Sequence, residues 1–185
     1  MRRAAAIIAL CVGAAVFYGV VHDQITARIC IEYFTIGHRR AFESDSPTLN
    51  ALYWGVVATW WAGLIAGVLL ATAARAGAWD KLGARQLWPL VAGLLLAMGV
   101  SAAAAGVFGH GLADTYFKDK EIKRNGLVVS ERERVDYIAC VYAHGASYSV
   151  GFGGSVVVAI MTVVWRGVRT RRRSTAASPD QSGVA

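Results

Sequence analysis

The sequence predicts an all-α fold: a single four-helix transmembrane bundle with both termini in the cytoplasm. Apolar residues make up 56% of the 185 positions, and they are concentrated in four blocks without Lys, Arg, Asp or Glu. A helix needs roughly 20 such residues to cross about 30 Å of hydrocarbon. Backbone amides in lipid must be hydrogen-bonded within their own segment, which favours helices over strands. The predicted spans are residues 4–21, 51–74, 87–110 and 137–165.

The first block follows Arg2 and Arg3, an arrangement that also occurs in cleaved signal peptides. No small-residue cleavage site follows Val21, because the next residues are His, Asp and Gln. The block is also longer than the apolar part of an ordinary signal peptide. We therefore expect residues 4–21 to be retained as the first span.

The orientation is predicted from basic residues beside the span ends, which remain in the cytoplasm. These residues are Arg2, Arg3, Arg75, Lys81, Arg85, Arg166, Arg169, Arg171, Arg172 and Arg173. The net charge of +7 is then mainly a signal of topology, and we expect no nucleic-acid partner. The predicted location is the cytoplasmic (inner) membrane of a bacterium, with the lipid bilayer as the main partner.

Two capping patterns extend the second and fourth helices beyond their apolar blocks. Ser46 before Pro47 is typical of a helix N-terminus, and Ser130 followed by Glu133 is a capping box. The fourth helix is then expected to run for about 35 residues and to project from the outer surface. We assign residues 1–173 to the bundle and 174–185 to a disordered cytoplasmic tail.

Small residues recur at four-residue spacing in the last three spans, which favours close helix packing in lipid. The second span carries Gly55, Thr59, Gly63, Gly67 and Ala71, and the third carries Gly93, Ala97, Ser101, Ala105 and Gly109. The fourth carries Ser147, Gly151, Ser155 and Ala159. These stripes predict helix contacts and carry no information about chemistry.

All four histidines lie at the outer ends of the apolar blocks, where acidic residues also occur. His110 and Asp114 are four residues apart on helix three, and Asp136 and His144 share a face of helix four. His22 is followed directly by Asp23. We expect His110 to point into the bundle, because Ala102 and Gly106 precede it at helical spacing.

Imidazole and carboxylate groups on facing helices are the ligand set of Zn²⁺ or non-haem iron. The predicted ligands are His22, His110 and His144, with His38, Glu32, Asp114 and Asp136 as further candidates.

Two alternatives to a metal site stay open. The polar groups also fit a hydrated cap on a non-catalytic subunit of a larger membrane complex or of a homo-oligomer. Histidines on facing helices fit a b-type haem as well, whereas a CxxCH attachment motif is absent from the sequence. No known catalytic motif is present, so the sequence does not decide whether the protein is an enzyme.

The cysteines divide by location. Cys11 lies within the first span and is expected to be a packing residue, whereas Cys30 and Cys140 fall on the outer side. Disulfides persist in that compartment, and we predict a Cys30–Cys140 bridge. The alternative is that Cys140 is a thiolate ligand beside His144.

The stretches VHDQITARICIEYFTIGH (residues 21–38) and AHGASYSVGFGG (residues 143–154) resemble small four-span bacterial membrane proteins that are known only as hypothetical proteins. The resemblance covers both histidine-bearing segments and implies the four-span topology. It implies no activity, cofactor or site.

Overall fold

The structure is a computed structural model that describes residues 1–38, 40–118 and 120–176. Within these ranges the chain is mostly helical. The elements are α1 (Arg2–Ile29), α2 (Glu32–Thr35), α3 (Pro47–Val57), α4 (Trp60–Arg75), α5 (Ala84–Tyr116), β1 (Ile122–Arg124), β2 (Leu127–Val129) and α6 (Arg134–Ala176).

Four helical segments are long and apolar enough to cross a membrane, which confirms the four predicted segments. They are α1, the combined segment Pro47–Arg75, α5 and α6, with 28, 29, 33 and 43 residues. Every segment is longer than its apolar block, since polar residues continue each helix at its ends. Helix α6 continues to Ala176, so the first three residues of the predicted tail are helical. Residues 177–185 of that tail lie outside the described residues.

The strands were not predicted. Strands β1 and β2 form an antiparallel hairpin in which Ile122 pairs with Val129. Asn125 and Gly126 at its tip have φ values of 52° and 77°. An Asn-Gly pair with positive φ at both positions is the usual solution for a two-residue hairpin turn. The hairpin therefore arises from local turn chemistry between α5 and α6.

The second span is broken between α3 and α4 at Ala58 and Thr59. The Thr59 hydroxyl donates to the Gly55 carbonyl, while the Thr59 amide bonds to Val56 instead of Gly55. Side-chain hydroxyls that bond to the preceding turn bend helices in this way. The Tyr148 hydroxyl of α6 donates to the Ala58 carbonyl at 3.3 Å. The break thus gives α6 a polar contact within the second span.

Helix α1 packs against the second span through glycines that allow the two backbones to touch. A Cβ atom placed on Gly19 would lie 2.5 Å from the Gly55 carbonyl oxygen. One placed on Gly63 would lie 2.8 Å from the Cys11 carbonyl oxygen, and Gly67 approaches Ile8 in the same way. The small-residue stripe predicted on the second span is therefore a helix contact surface.

The predicted stripe on the third span is displaced. Gly93 and Ala97 are exposed, and the buried positions near α6 are Ala102, Gly109 and Ala113. A strict four-residue repeat advances about 40° around a helix at every step, because 3.6 residues make a turn. A contact face instead alternates steps of three and four, as the interval from Ala102 through Gly109 to Ala113 does.

We use the name histidine end for the end of the structure that holds the C-terminus of α1 and the N-terminus of α6. At the opposite end, Arg166 of α6 is 2% exposed and donates to backbone carbonyls that follow or end α4. The acceptors are Ala73, Ala76, Trp79 and Asp80. These groups have no partner inside α4, because a helix leaves its last four carbonyls free. Arg166 therefore caps α4 and fixes it to α6.

A second arginine of α6 has the same role at the histidine end. Arg134 is 8% exposed and donates to the carbonyls of Phe117 and Lys118, just beyond α5. A cation beside the C-terminus of a helix is also favoured by the helix dipole. Helix α6 thus caps α4 at one end of the structure and α5 at the other.

We predict that Arg166→Met lowers the free energy of unfolding by about 2–4 kcal/mol, because each buried carbonyl left without a donor costs about 1–3 kcal/mol. The matched control is Arg172→Met on the exposed surface of α6, which should stay within about 0.5 kcal/mol of wild type. Thermal unfolding of the detergent-purified protein measures both. Equal stability of the two variants would contradict the capping role.

Candidate metal centre at the histidine end

Two helices bring three polar side chains together at the histidine end. His22 and Asp23 lie near the C-terminus of α1, and His144 lies ten positions after the first residue of α6. One ligand atom from each of these residues lies within 4.8 Å of the other two. Asp23 is 5% exposed and His144 is 9% exposed. We call His22, Asp23 and His144 the triad.

The hydrogen bonds of His144 determine which ring nitrogen holds a proton. Its Nδ1 lies 2.8 Å from the Cys140 carbonyl oxygen, which can only accept, so Nδ1 is the donor. The neutral ring then has a lone pair on Nε2, which lies 3.2 Å from Oδ1 of Asp23. Two acceptors at this distance need a proton or a cation between them.

His22 supplies a second free nitrogen. Its Nε2 is buried and has no hydrogen-bond partner among the described residues. The His22 ring meets the His144 ring edge to face, with centroids 4.5 Å apart, and it stacks on Tyr18. A buried polar atom without a partner is rare and unfavourable. A ligand bound at the triad would satisfy it.

The segment around α2 covers the triad. The Tyr33 ring stacks on the His144 ring at 4.2 Å, and Phe34 approaches the same ring edge on. His38 donates from Nδ1 to the Tyr33 carbonyl at 3.0 Å, since that oxygen only accepts. Burial lowers the pKa of His38 and raises that of the Tyr33 phenol, so both are neutral near pH 7. His38 lies beside the triad but outside the 4.8 Å set.

The structure does not bring His110 to this site. His110 and Asp114 are exposed on α5, whereas Gly109 and Ala113 between and beside them are buried against α6. The prediction that His110 points into the bundle is therefore wrong. The contact face of α5 passes from Gly106 to Gly109, a step of three residues, and this step leaves His110 about 100° outside it.

The remaining predicted carboxylates also lie outside the triad. Glu32 accepts a hydrogen bond from the Cys30 thiol at 3.4 Å, and Asp136 is half-buried in the first turn of α6. Asp23 takes their place as the carboxylate. Asp23 is not among the predicted ligands, although it directly follows His22 in the sequence. The buried positions Ile7, Cys11, Ala14, Gly19 and Asp23 show that the helical face continues through it.

Cys30 and Cys140 are buried in one apolar cluster together with Val129 and Tyr137. Both are free thiols in the structure. The Cys140 thiol donates to the Thr26 carbonyl at 3.6 Å and is not among the three grouped ligands, which does not support the thiolate-ligand alternative. Burial raises the pKa of Cys30. The two cysteines share a cluster but are not bonded to each other in the structure, so the disulfide stays a prediction.

The triad lines a partly open cavity of about 130 Å³ at the histidine end. The cavity continues between the helices to the level of Leu70, Val91 and Val158. Most of its lining is apolar. The triad residues therefore form the polar part of an otherwise apolar cavity.

Comparisons of the chain with protein-family models, with curated proteins and with solved structures gave no match. The resemblance to small bacterial four-span proteins stays a prediction. The fold and the site define a protein with four helices suited to cross a membrane and with a buried histidine–aspartate cluster near one end.

We predict that Cys30 and Cys140 form a disulfide in oxidised membranes, because the two buried side chains belong to one cluster at the histidine end. Denaturation in SDS with a maleimide label, with and without prior reduction, tests this. Cys11 provides an internal control that should react in both samples. Labelling of all three cysteines without reduction would contradict the bridge.

Proposed function

We propose that this chain is a multi-pass membrane protein that binds one transition-metal ion, Zn²⁺ or non-haem iron, through the triad. One observation carries the proposal: two imidazole nitrogens and a carboxylate oxygen converge within 4.8 Å in a buried position. Two histidines and one carboxylate are a known ligand set for both metals. Such a set leaves coordination positions open, as in sites where an ion meets a substrate or water.

The spacing of the ligand atoms supports this proposal. Ligands at about 2.0–2.1 Å from a tetrahedral ion are roughly 3.3 Å from one another. The Asp23 oxygen and the His144 nitrogen are already 3.2 Å apart. His22 needs only a small movement of its side chain to complete the set, and its Nε2 has no competing partner among the described residues.

The surroundings of His144 support it as well. A metal-bound histidine commonly donates its other nitrogen to a carbonyl, which fixes the tautomer and the ring orientation. The Cys140 carbonyl has this role, and the Tyr33 ring restricts rotation from the side. Because Cys140 and His144 lie one turn apart on α6, the same helix holds both the ligand and its support.

A purely structural role for the triad is the second candidate. A protonated His144 would donate to Asp23 at the observed 3.2 Å, and the resulting ion pair would join α1 to α6. The protein would then be a non-catalytic subunit of a larger complex or of a homo-oligomer. A haem fits less well, since rings with centroids 4.5 Å apart leave no space for a porphyrin between them.

We further propose that the four helices form a transmembrane bundle in a bacterial cytoplasmic membrane, with both termini in the cytoplasm. The basic residues Arg166, Arg169 and Arg173 lie at the end opposite the triad, and two of them pair with Asp80. Basic residues beside spans remain in the cytoplasm. The triad is then near the outer surface.

Topology is tested with two reporter fusions. We expect a cytoplasm-active reporter to work after Ala185 and a periplasm-active reporter to work when inserted at Asn125. That site is the exposed tip of the β-hairpin, where an insertion disturbs little. Activity of the opposite reporter at each site would reverse the orientation.

Metal binding is tested by elemental analysis of identically purified proteins grown with added zinc and iron. We expect close to one ion per chain in wild type and loss of most of it in His22→Ala and in His144→Ala. Asp23→Asn should bind more weakly, because an amide is a poorer ligand than a carboxylate. His110→Ala is the matched control and should retain the ion, since His110 is exposed on α5.

Thermal unfolding of each variant shows whether it is still folded. Background metal in folded wild-type protein would reject the metal site and leave the ion pair as the role of the triad. Loss of metal from His110→Ala to the same extent as from His144→Ala would also reject it.

A further inference from the structure

The lining of the cavity is elongated along α1. It reaches from His22 to Cys11, which corresponds to roughly 17 Å at 1.5 Å per residue. An apolar lining of this length is suited to an extended hydrocarbon chain.

Four hydroxyl groups in the cavity wall already have hydrogen-bond partners. Tyr18 and Ser147 share a hydrogen bond of 2.7 Å, and the Tyr148 hydroxyl donates to Ala58. Ser155 donates to the carbonyl of Gly151 in its own helix at 2.6 Å. The wall therefore presents mainly apolar surface to an occupant. Protein interiors are otherwise close-packed, and apolar cavities of this size bind apolar molecules.

Two polar atoms without partners among the described residues lie on cavity-lining side chains, and both are at the histidine end. One is Nε2 of His22. The other is the indole nitrogen of Trp54, whose ring lies 4.6 Å from the His38 ring. The indole N–H can only donate, so its missing partner is an acceptor such as an oxygen atom.

We propose that the cavity binds a single-chain fatty acyl carboxylate, with the chain between α1 and α6 and the carboxylate at the triad. One carboxylate oxygen accepts the hydrogen bond of Trp54. The other occupies an open coordination position of the ion, and this contact alone rests on the proposed metal site. The chain contacts depend only on the apolar walls.

The experiment uses full-length protein in phosphatidylcholine nanodiscs and a hexadecanoate probe with a photoreactive diazirine in the middle of its chain. We expect labelling of cavity residues such as Leu94 and Met98, and unlabelled hexadecanoate should compete with it. Leu96 and Val107 report the background, because they are exposed on the outer surface of α5. Labelling confined to such surface residues and insensitive to competitor would overturn the proposal.

Two variants test where the hydrocarbon chain and the carboxylate of the ligand bind. Ala66→Leu narrows the cavity from its wall and should lower cavity labelling at least several-fold, whereas Ala103→Leu on the exposed face of α5 should leave it unchanged. Trp54→Phe removes the indole donor. The concentration of unlabelled hexadecanoate needed to suppress the labelling should then rise on the order of 10-fold. Unchanged labelling in both Ala66→Leu and Trp54→Phe would overturn the proposal.

Measuring the metal content of the labelled protein separates this proposal from the metal site. Competed cavity labelling in protein that was purified without bound metal would support the fatty acyl ligand and reject the ion. Bound metal together with surface labelling that is insensitive to competitor would support the ion and reject the fatty acyl ligand.

Discussion

The close contact of α1 with the second span is the constraint on which the site and the cavity depend. At Gly19 and Gly55 the two backbones touch, so a side chain at either position would have to push the helices apart. This contact holds α1 on the side away from α6. Within the described residues, α1 and α6 have few direct contacts, and the cavity occupies the space between them. The triad joins the two helices where that space ends.

The triad is held by groups that also restrict its chemistry. The Cys140 carbonyl keeps the proton of His144 on Nδ1, and Tyr33 covers the face of the same ring. Ionisable groups in an apolar environment are costly unless they are paired or bind an ion. The Asp23–His144 contact offsets this cost in either of two ways, by a shared proton or by a shared metal. His22 distinguishes the two, because a proton between the other residues leaves its Nε2 without a partner.

The sequence predicts the four spans because long uncharged blocks have few alternatives to a membrane helix. It also predicts the contact stripe on the second span and the meeting of His22 with His144. It fails at His110, because a repeat of exactly four residues does not follow one helix face. Asp23 is not among the predicted ligands: the apolar block ends two residues before it, whereas helix α1 continues to Ile29. The stacking of Tyr33 on the His144 ring joins two segments that are far apart in the sequence, and no local sequence pattern predicts such a contact.

Helix α6 provides His144 and the arginine caps of both α4 and α5, and it follows the other three long helices in the sequence. Until α6 packs against them, the carbonyls at the end of α4 lack their guanidinium donor and His22 and Asp23 lack their third member. The first three long helices without α6 are therefore an incomplete assembly with unsatisfied polar groups. Packing of α6 against them completes the caps and the triad in one step.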